Sequence, residues 1–303
     1  MPETSVIQRS SEWFELRQHM QLTASKFGDA IGVGQGRPYD FFLSLLSDDA
    51  CSRENEESEH TRHGTQMEPI IDEAYQLLTG NTTHAAGFWQ PPEGSILHGL
   101  CGATPDGKIL STDEPVKLLG LVEYKAPFYR MYDPSKHPHG IPRHYMAQIQ
   151  GQMGICEAPW CDFMAVCTQT RAISLQRVYF NRTYWQCVAK KLRQFCLILK
   201  EAKQRRVLNQ QALNFPGIQR LKAEPIARTL LPGENSIRVE NLLEVDSKGQ
   251  FRSLSGTWMA FDFLMGNPVA GTSSLQGYQY EWILREIDSK IRNRNAPAAA
   301  GIT

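Results

Sequence analysis

Asp106 stands between a proline and a glycine in Ala103-Thr104-Pro105-Asp106-Gly107, a composition that makes a turn. The run that follows, Leu121-Val122-Glu123-Tyr124-Lys125, is β-prone. In a strand, residues two apart share a face, so Glu123 and Lys125 are expected to project together while Tyr124 points away. Carboxylates that hold a divalent cation on a scissile oxygen, with a neighbour that positions a water, are the parts needed to cut a phosphodiester. Lys125 beside two acids is expected to stay charged, which suits charge stabilisation and water positioning better than proton abstraction. Taken alone the triplet is weak, since a surface turn before a strand with an ion pair would look the same.

The elements that would position these residues are legible in outline. Ser10 and Ser11 precede Trp13, Leu16 and Met20 at helical spacing, and Thr23-Ala24-Ser25 opens a second short helix that closes at Gly32. A third helix is expected over Tyr39 to Leu46 and a longer one from Gly64 to Leu78, ended by Gly80. Ala85 to Trp89, Ile96 to Ala103 and Val116 to Tyr124 read as a meander of adjacent strands broken by prolines. Pro142 to Cys156 is expected as a helix, Asp162 to Thr168 and Ala172 to Phe180 as strands, and Thr183 to Arg206 as a helix with Trp185, Val188, Leu192, Phe195 and Leu199 on one face. The pattern implies an α/β fold with central strands and flanking helices. Beyond Phe215-Pro216-Gly217 the signal weakens: Ser236 to Val245 and Phe251 to Phe263 are expected as strands and Tyr278 to Arg292 as a helix.

Composition narrows the class. Of 303 residues, 41% are hydrophobic and 21% charged, as in a folded globular chain. No apolar run reaches the ~18 to 20 residues of a membrane span, and the first residues lack the order of a secretory signal, so an intracellular location is expected, cytoplasmic or with the DNA, and nuclear in a eukaryotic host. Seven cysteines without a close pair suggest neither a disulfide framework nor a zinc ribbon. The net charge is +0, but it is segregated: Asp48 to Glu73 is acidic, whereas Arg171 to Lys222 carries twelve Lys or Arg against the single acid Glu201. Gly32-Val33-Gly34-Gln35-Gly36 lacks the Lys-Ser/Thr ending of a phosphate-binding loop, and His137 and His139 fit no zinc spacing.

Six segments in one order raise the catalytic reading: Trp13-Phe14-Glu15-Leu16-Arg17, Leu22-Thr23-Ala24-Ser25, His63-Gly64-Thr65-Gln66-Met67-Glu68, Ala103-Thr104-Pro105-Asp106-Gly107, Glu123-Tyr124-Lys125-Ala126-Pro127 and Tyr145-Met146-Ala147-Gln148-Ile149-Gln150. In these the chain resembles the lambda-exonuclease-like (YqaJ) viral recombinases of the PD-(D/E)XK nuclease superfamily over roughly residues 9 to 205. The resemblance implies a restriction-endonuclease-like core, a central mixed β-sheet flanked by helices, over residues 1–215, with a C-terminal extension over 216–303. It implies that Asp106, Glu123, the Tyr124 backbone carbonyl and Glu68 bind Mg2+, with Mn2+ as a substitute. It further implies that Lys125 and Gln148 hold the attacking water, and that Arg17, Ser25 and Thr104 bind a terminal 5′-phosphate, with Thr104 where relatives often carry serine.

The expected activity is therefore 5′-to-3′ exonuclease action on double-stranded DNA ends, leaving 3′ single-stranded tails for recombination or repair. A single-strand annealing protein is the expected partner, and a homotrimer around DNA the expected assembly. Two other readings stay open on sequence: an endonuclease or single-strand nuclease of the same superfamily, and a DNA-binding scaffold without catalysis. The cysteines at 156, 161, 167, 187 and 196 do not frame the core as an iron–sulfur cluster would require.

Overall fold

Strand β4, Leu118–Lys125, carries two different sets of side chains, and each set is covered by its own layer. On one face Leu121 joins a core with Phe163, Met146, Ile149, Met153 and Leu192; on the other, Val122 and Tyr124 join a second core with Ile71, Tyr75 and Leu78. A strand buried on both faces needs this double cover. The computed structural model describes residues 3–266 apart from residues 5, 48–58 and 209–212. The helix expected over Tyr278 to Arg292 lies outside the described residues.

The central sheet has five strands in the order β3-β4-β5-β6-β7, where β3 is Gly107–Leu110, β5 Trp160–Cys167, β6 Ala172–Tyr179 and β7 Val239–Asn241. It is mixed: β4 and β5 run parallel, while the other neighbours are antiparallel. A parallel pair cannot be joined by a hairpin. The crossover here includes helix α5, Arg143–Cys156, which lies over the first core. Its small residues let it sit close: a Cβ at Gly151 would lie 2.5 Å from the Phe27 ring, and one at Gly154 would lie 2.3 Å from the Trp185 indole.

Helices α2 (Phe27–Ala30), α3 (Pro38–Leu46) and α6 (Arg182–Val207) complete that layer. Helix α4, Glu59–Thr79, covers the other face and begins a turn earlier than the apolar pattern indicated, because its first residues are polar. Helix α1, Ser11–His19, is capped as expected by the Ser10 side chain, which accepts from the Trp13 N–H at 3.2 Å.

Two expectations are corrected. The meander before β4 does not form: Ala85 to Trp89 makes only isolated bridges, and residues 93–100 are turns. The extended backbone there is limited to β2, Cys101–Gly102, which pairs in parallel with β1, Leu22–Thr23. The glycines and prolines of residues 91–99 favour turns over a ladder. Beyond residue 215 the described chain continues to pack on the same core. Helix α7, Pro216–Ala223, buries Ile218 and Leu221 in the first core, and β7 adds an edge strand through Val239 opposite Val178. The strands expected over Ser236 to Val245 and Phe251 to Phe263 are shorter: β8 (Glu244–Val245), β9 (Phe251–Arg252) and β10 (Trp258–Met259) form a small separate sheet, followed by helix α8, Phe261–Leu264.

Candidate active site

The register of β3 on β4 brings the acidic residues together. Gly107 pairs with Val122, so the preceding Asp106 arrives beside Tyr124, whose backbone N–H donates to Asp106 Oδ2 at 2.7 Å. Glu123 and Lys125 share the opposite face from Tyr124, as period-2 alternation requires. The Lys125 ammonium donates to Glu123 Oε1 and lies 5.1 Å from the centre of the Tyr145 ring. Tyr124 turns to the second core, where its hydroxyl donates to Asp72 Oδ1 at 2.7 Å. This places a third polar anchor on the strand from its far side.

Glu123 is only 2% exposed, and its carboxylate is held from above by α5. Gln148 Nε2 donates to Oε1 at 2.5 Å and Gln152 Nε2 to Oε2 at 2.7 Å. Both amides reach the same carboxylate because residues four apart lie on one helix face. Gln152 was missed in the sequence reading. The Gln148-to-Gln152 spacing was the available signal, but a buried glutamine is unusual enough that helix surface is the ordinary expectation.

Glu68 lies on α4 and lines the same cavity as Asp106, Lys125 and Tyr145, a space of about 460 Å³. Its side chain pairs with Arg9 at 2.7 Å, another contact outside the sequence motifs. Burial pushes the Asp106 carboxyl well above the usual carboxylate range, and the negative charges of Glu123 and Glu68 add to the rise; Lys125 and the Tyr124 N–H oppose it. Burial works against charge on Lys125, but Glu123 and Asp106 outweigh it and raise its pKa. The lysine therefore stays an ammonium, as expected.

The residues expected to bind phosphate are linked through Trp13 and Thr23. The β1/β2 pairing sets Leu22 against Cys101 and Thr23 against Gly102, so the start of the Thr23-Ala24-Ser25 segment runs beside the approach to Thr104. Trp13 Nε1 donates to Thr104 Oγ1 at 3.2 Å, and Arg17 Nη2 donates to Thr23 Oγ1 at 3.3 Å, with Ser25 Oγ 3.4 Å further on. The Arg17 guanidinium lies over the Trp13 ring at 4.3 Å. A guanidinium and three hydroxyls thus lie next to the turn that carries Asp106.

Among the described residues, no three His, Cys, Asp or Glu stand arranged as a metal cage. The donor set nevertheless suits a hard divalent cation. Asp106, Glu123 and Glu68 supply oxygen donors, the charges of Glu123 and Glu68 raise the proton affinity of Asp106, and added positive charge would relieve that repulsion.

Known proteins resemble this chain in sequence and in fold. Residues 12–159 match the family model of the YqaJ-like viral recombinase domain. The chain is similar in structure to an alkaline exonuclease, LHK-Exo, from Laribacter hongkongensis, with a TM-score of 0.50 and 22% identity over 66% of this chain and 99% of that one. The structure of LHK-Exo in complex with dAMP gives a TM-score of 0.51 at 21% identity, covering 66% of this chain and 98% of that one. The chain thus shares the fold of that enzyme, a central mixed sheet flanked by helices. An uncharacterized protein of Acanthamoeba polyphaga mimivirus is 31% identical over 166 residues, 52% of this chain; the chain spans 28% of that relative's length. Among the described residues, no helix is long and apolar enough to cross a membrane.

Proposed function

We propose that this chain is a divalent-metal-dependent deoxyribonuclease that digests double-stranded DNA from its ends in the 5′-to-3′ direction. The observation that carries the reading is the convergence of Asp106, Lys125 and Glu68 at one cavity, with Glu123 bonded to Lys125 and close enough to Asp106 to act on its charge, and with Arg17, Ser25 and Thr104 near the same turn. The names of the similar solved structures, an alkaline exonuclease and the same enzyme with dAMP, support it.

In this mechanism Asp106, Glu123, Glu68 and the Tyr124 carbonyl would hold Mg2+, with Mn2+ able to substitute. The cation would polarise the scissile phosphate and lower the pKa of a water. Lys125 holds its ammonium toward the carboxylates, where it offsets charge developing on the phosphate. Gln148 and Gln152 keep the Glu123 carboxylate in one orientation, so its oxygens face the substrate without a rotamer search. Arg17 with the Ser25 and Thr104 hydroxyls would receive a terminal 5′-phosphate, since a guanidinium fork with hydroxyl donors is a strong phosphate cradle.

Such an enzyme would leave 3′ single-stranded tails for recombination or repair. A single-strand annealing protein as partner and a ring of three subunits extend the same proposal. The test is digestion of end-labelled linear duplex in Mg2+, with and without a 5′-phosphate, against covalently closed circles. Wild type should degrade the linear duplex, favour the phosphorylated end and spare the circles. Wild-type rates in Glu123→Ala or Lys125→Ala would defeat the proposal, and cleaved circles would make the enzyme an endonuclease.

A further inference from the structure

The same cavity is also lined by aromatic rings that the chemistry above does not use. His60 and Thr61 on α4, and Phe128 just after β4, line it together with Tyr132 and Tyr145. Phe128 is the hub. His63 meets it edge-on at 4.9 Å between ring centres and 70° between planes, His60 at 5.4 Å and 87°, and Tyr129 at 4.8 Å and 68°. His60 also meets Tyr129 at 6.0 Å and 74°.

Edge-to-face packing fixes ring orientations while leaving ring faces open to a further flat partner. Tyr129, packed on the cavity-lining Phe128, is 66% exposed, so the ring cluster extends from the cavity to solvent. Next to Phe128, His63 Nε2 is buried with no hydrogen-bond partner, a polar atom of the kind that normally signals a missing partner. A cavity of about 460 Å³ lined by both oxygen donors and rings has the size and polarity of one nucleotide.

We infer that the ring cluster of His60, His63, Phe128 and Tyr129 is a nucleobase subsite, which stacks the base of the nucleotide whose phosphate faces Asp106 and Glu123. This rests on the nuclease reading and adds what holds the substrate's base. Stacking on an aromatic face is tolerant of base identity, so the subsite would grip any sequence and fail on a sugar that carries no base.

The experiment compares cleavage of a normal linear duplex with one whose 5′-terminal residue is a stable abasic analogue, in Mg2+, for wild type, Tyr129→Ala and Phe128→Leu. Tyr129 is exposed, so its loss spares the core, and leucine keeps the apolar contact of Phe128. Wild type should cut the abasic end slower by roughly five- to a hundred-fold, the size expected for one base on an aromatic ring. Each variant should lose rate on normal ends and lose most of that discrimination. Equal wild-type rates on the two ends, or discrimination unchanged in both variants, would overturn the subsite while leaving the nuclease intact. Absence of digestion on unmodified duplex would instead remove the nuclease reading and the subsite with it.

Discussion

Asp106 is held at a cost that only a bound cation would relieve. Its raised proton affinity means that the folded chain binds a proton there which the unfolded chain has released. Stability from that proton is greatest at low pH and is lost as pH rises through the elevated folded pKa, after which the ionised group repels Glu123 and Glu68. Asp106→Asn is therefore expected to abolish hydrolysis and yet raise the melting temperature of metal-free protein at pH 8, by roughly 2 to 4 °C for about 1 kcal/mol. The gain should vanish near pH 4; thermal melts in chelator at both pH values check it. Gln152 gives the opposite case. Gln152→Leu leaves Glu123 Oε2 without its buried donor, a loss of about 1 to 3 kcal/mol. Because the amide orients a carboxylate rather than touching DNA, kcat and the Mg2+ concentration for half activity should move while KM for DNA holds, and Gln152→Asn should not restore them. Asp106, Glu123 and Lys125 could be named from the sequence because a turn and a period-2 strand dictate their meeting. Gln152, Arg9 and His63 could not, since their roles depend on which helix lies over which strand.

At the scale of elements, Asp162 ties β5 to β6 by an ion pair and to α4 by a hydrogen bond. Asp162 on β5 is fully buried and accepts from Arg177 Nε and Nη2 at 2.8 and 2.9 Å and from the Tyr75 hydroxyl at 2.7 Å. Removing one member of such a pair strands a charge, whereas removing both need not. Arg177→Met should cost about 3 to 5 kcal/mol in urea unfolding, and the double variant with Asp162→Asn should recover much of it. Equal losses in the single and double variants would refute the coupling. The long helices and β4, β5 and β6 were legible in sequence, because each has enough residues to display its period. Pairings of two residues, such as β1 with β2, show no period at all. Their partners lie far along the chain, so only the tertiary structure reveals them.

For the whole molecule, the described part of the expected extension is bound to the α/β core. Glu234 is 1% exposed, accepts from Arg143 at 2.5 and 2.7 Å and from the Leu231 N–H at 2.7 Å, and so ties residues 231–234 to the start of α5. A chain ending at residue 215 would lose this tie, α7 and β7 together. It is expected to lose cooperative unfolding or to melt at least several degrees lower, as calorimetry would measure; an unchanged transition would show that the remainder folds alone. The β1/β2 ladder has a consequence of another kind. It is two residues long and joins the segment bearing Ser25 to the one bearing Thr104 and Asp106. On the proposed function, the grip on a strand's end and the point of scission are two marks on one rigid gauge, so the length of each released fragment is written in backbone spacing. Inserting a glycine between Gly102 and Ala103 should then blur the sizes of released products on a sequencing gel more than it weakens DNA binding.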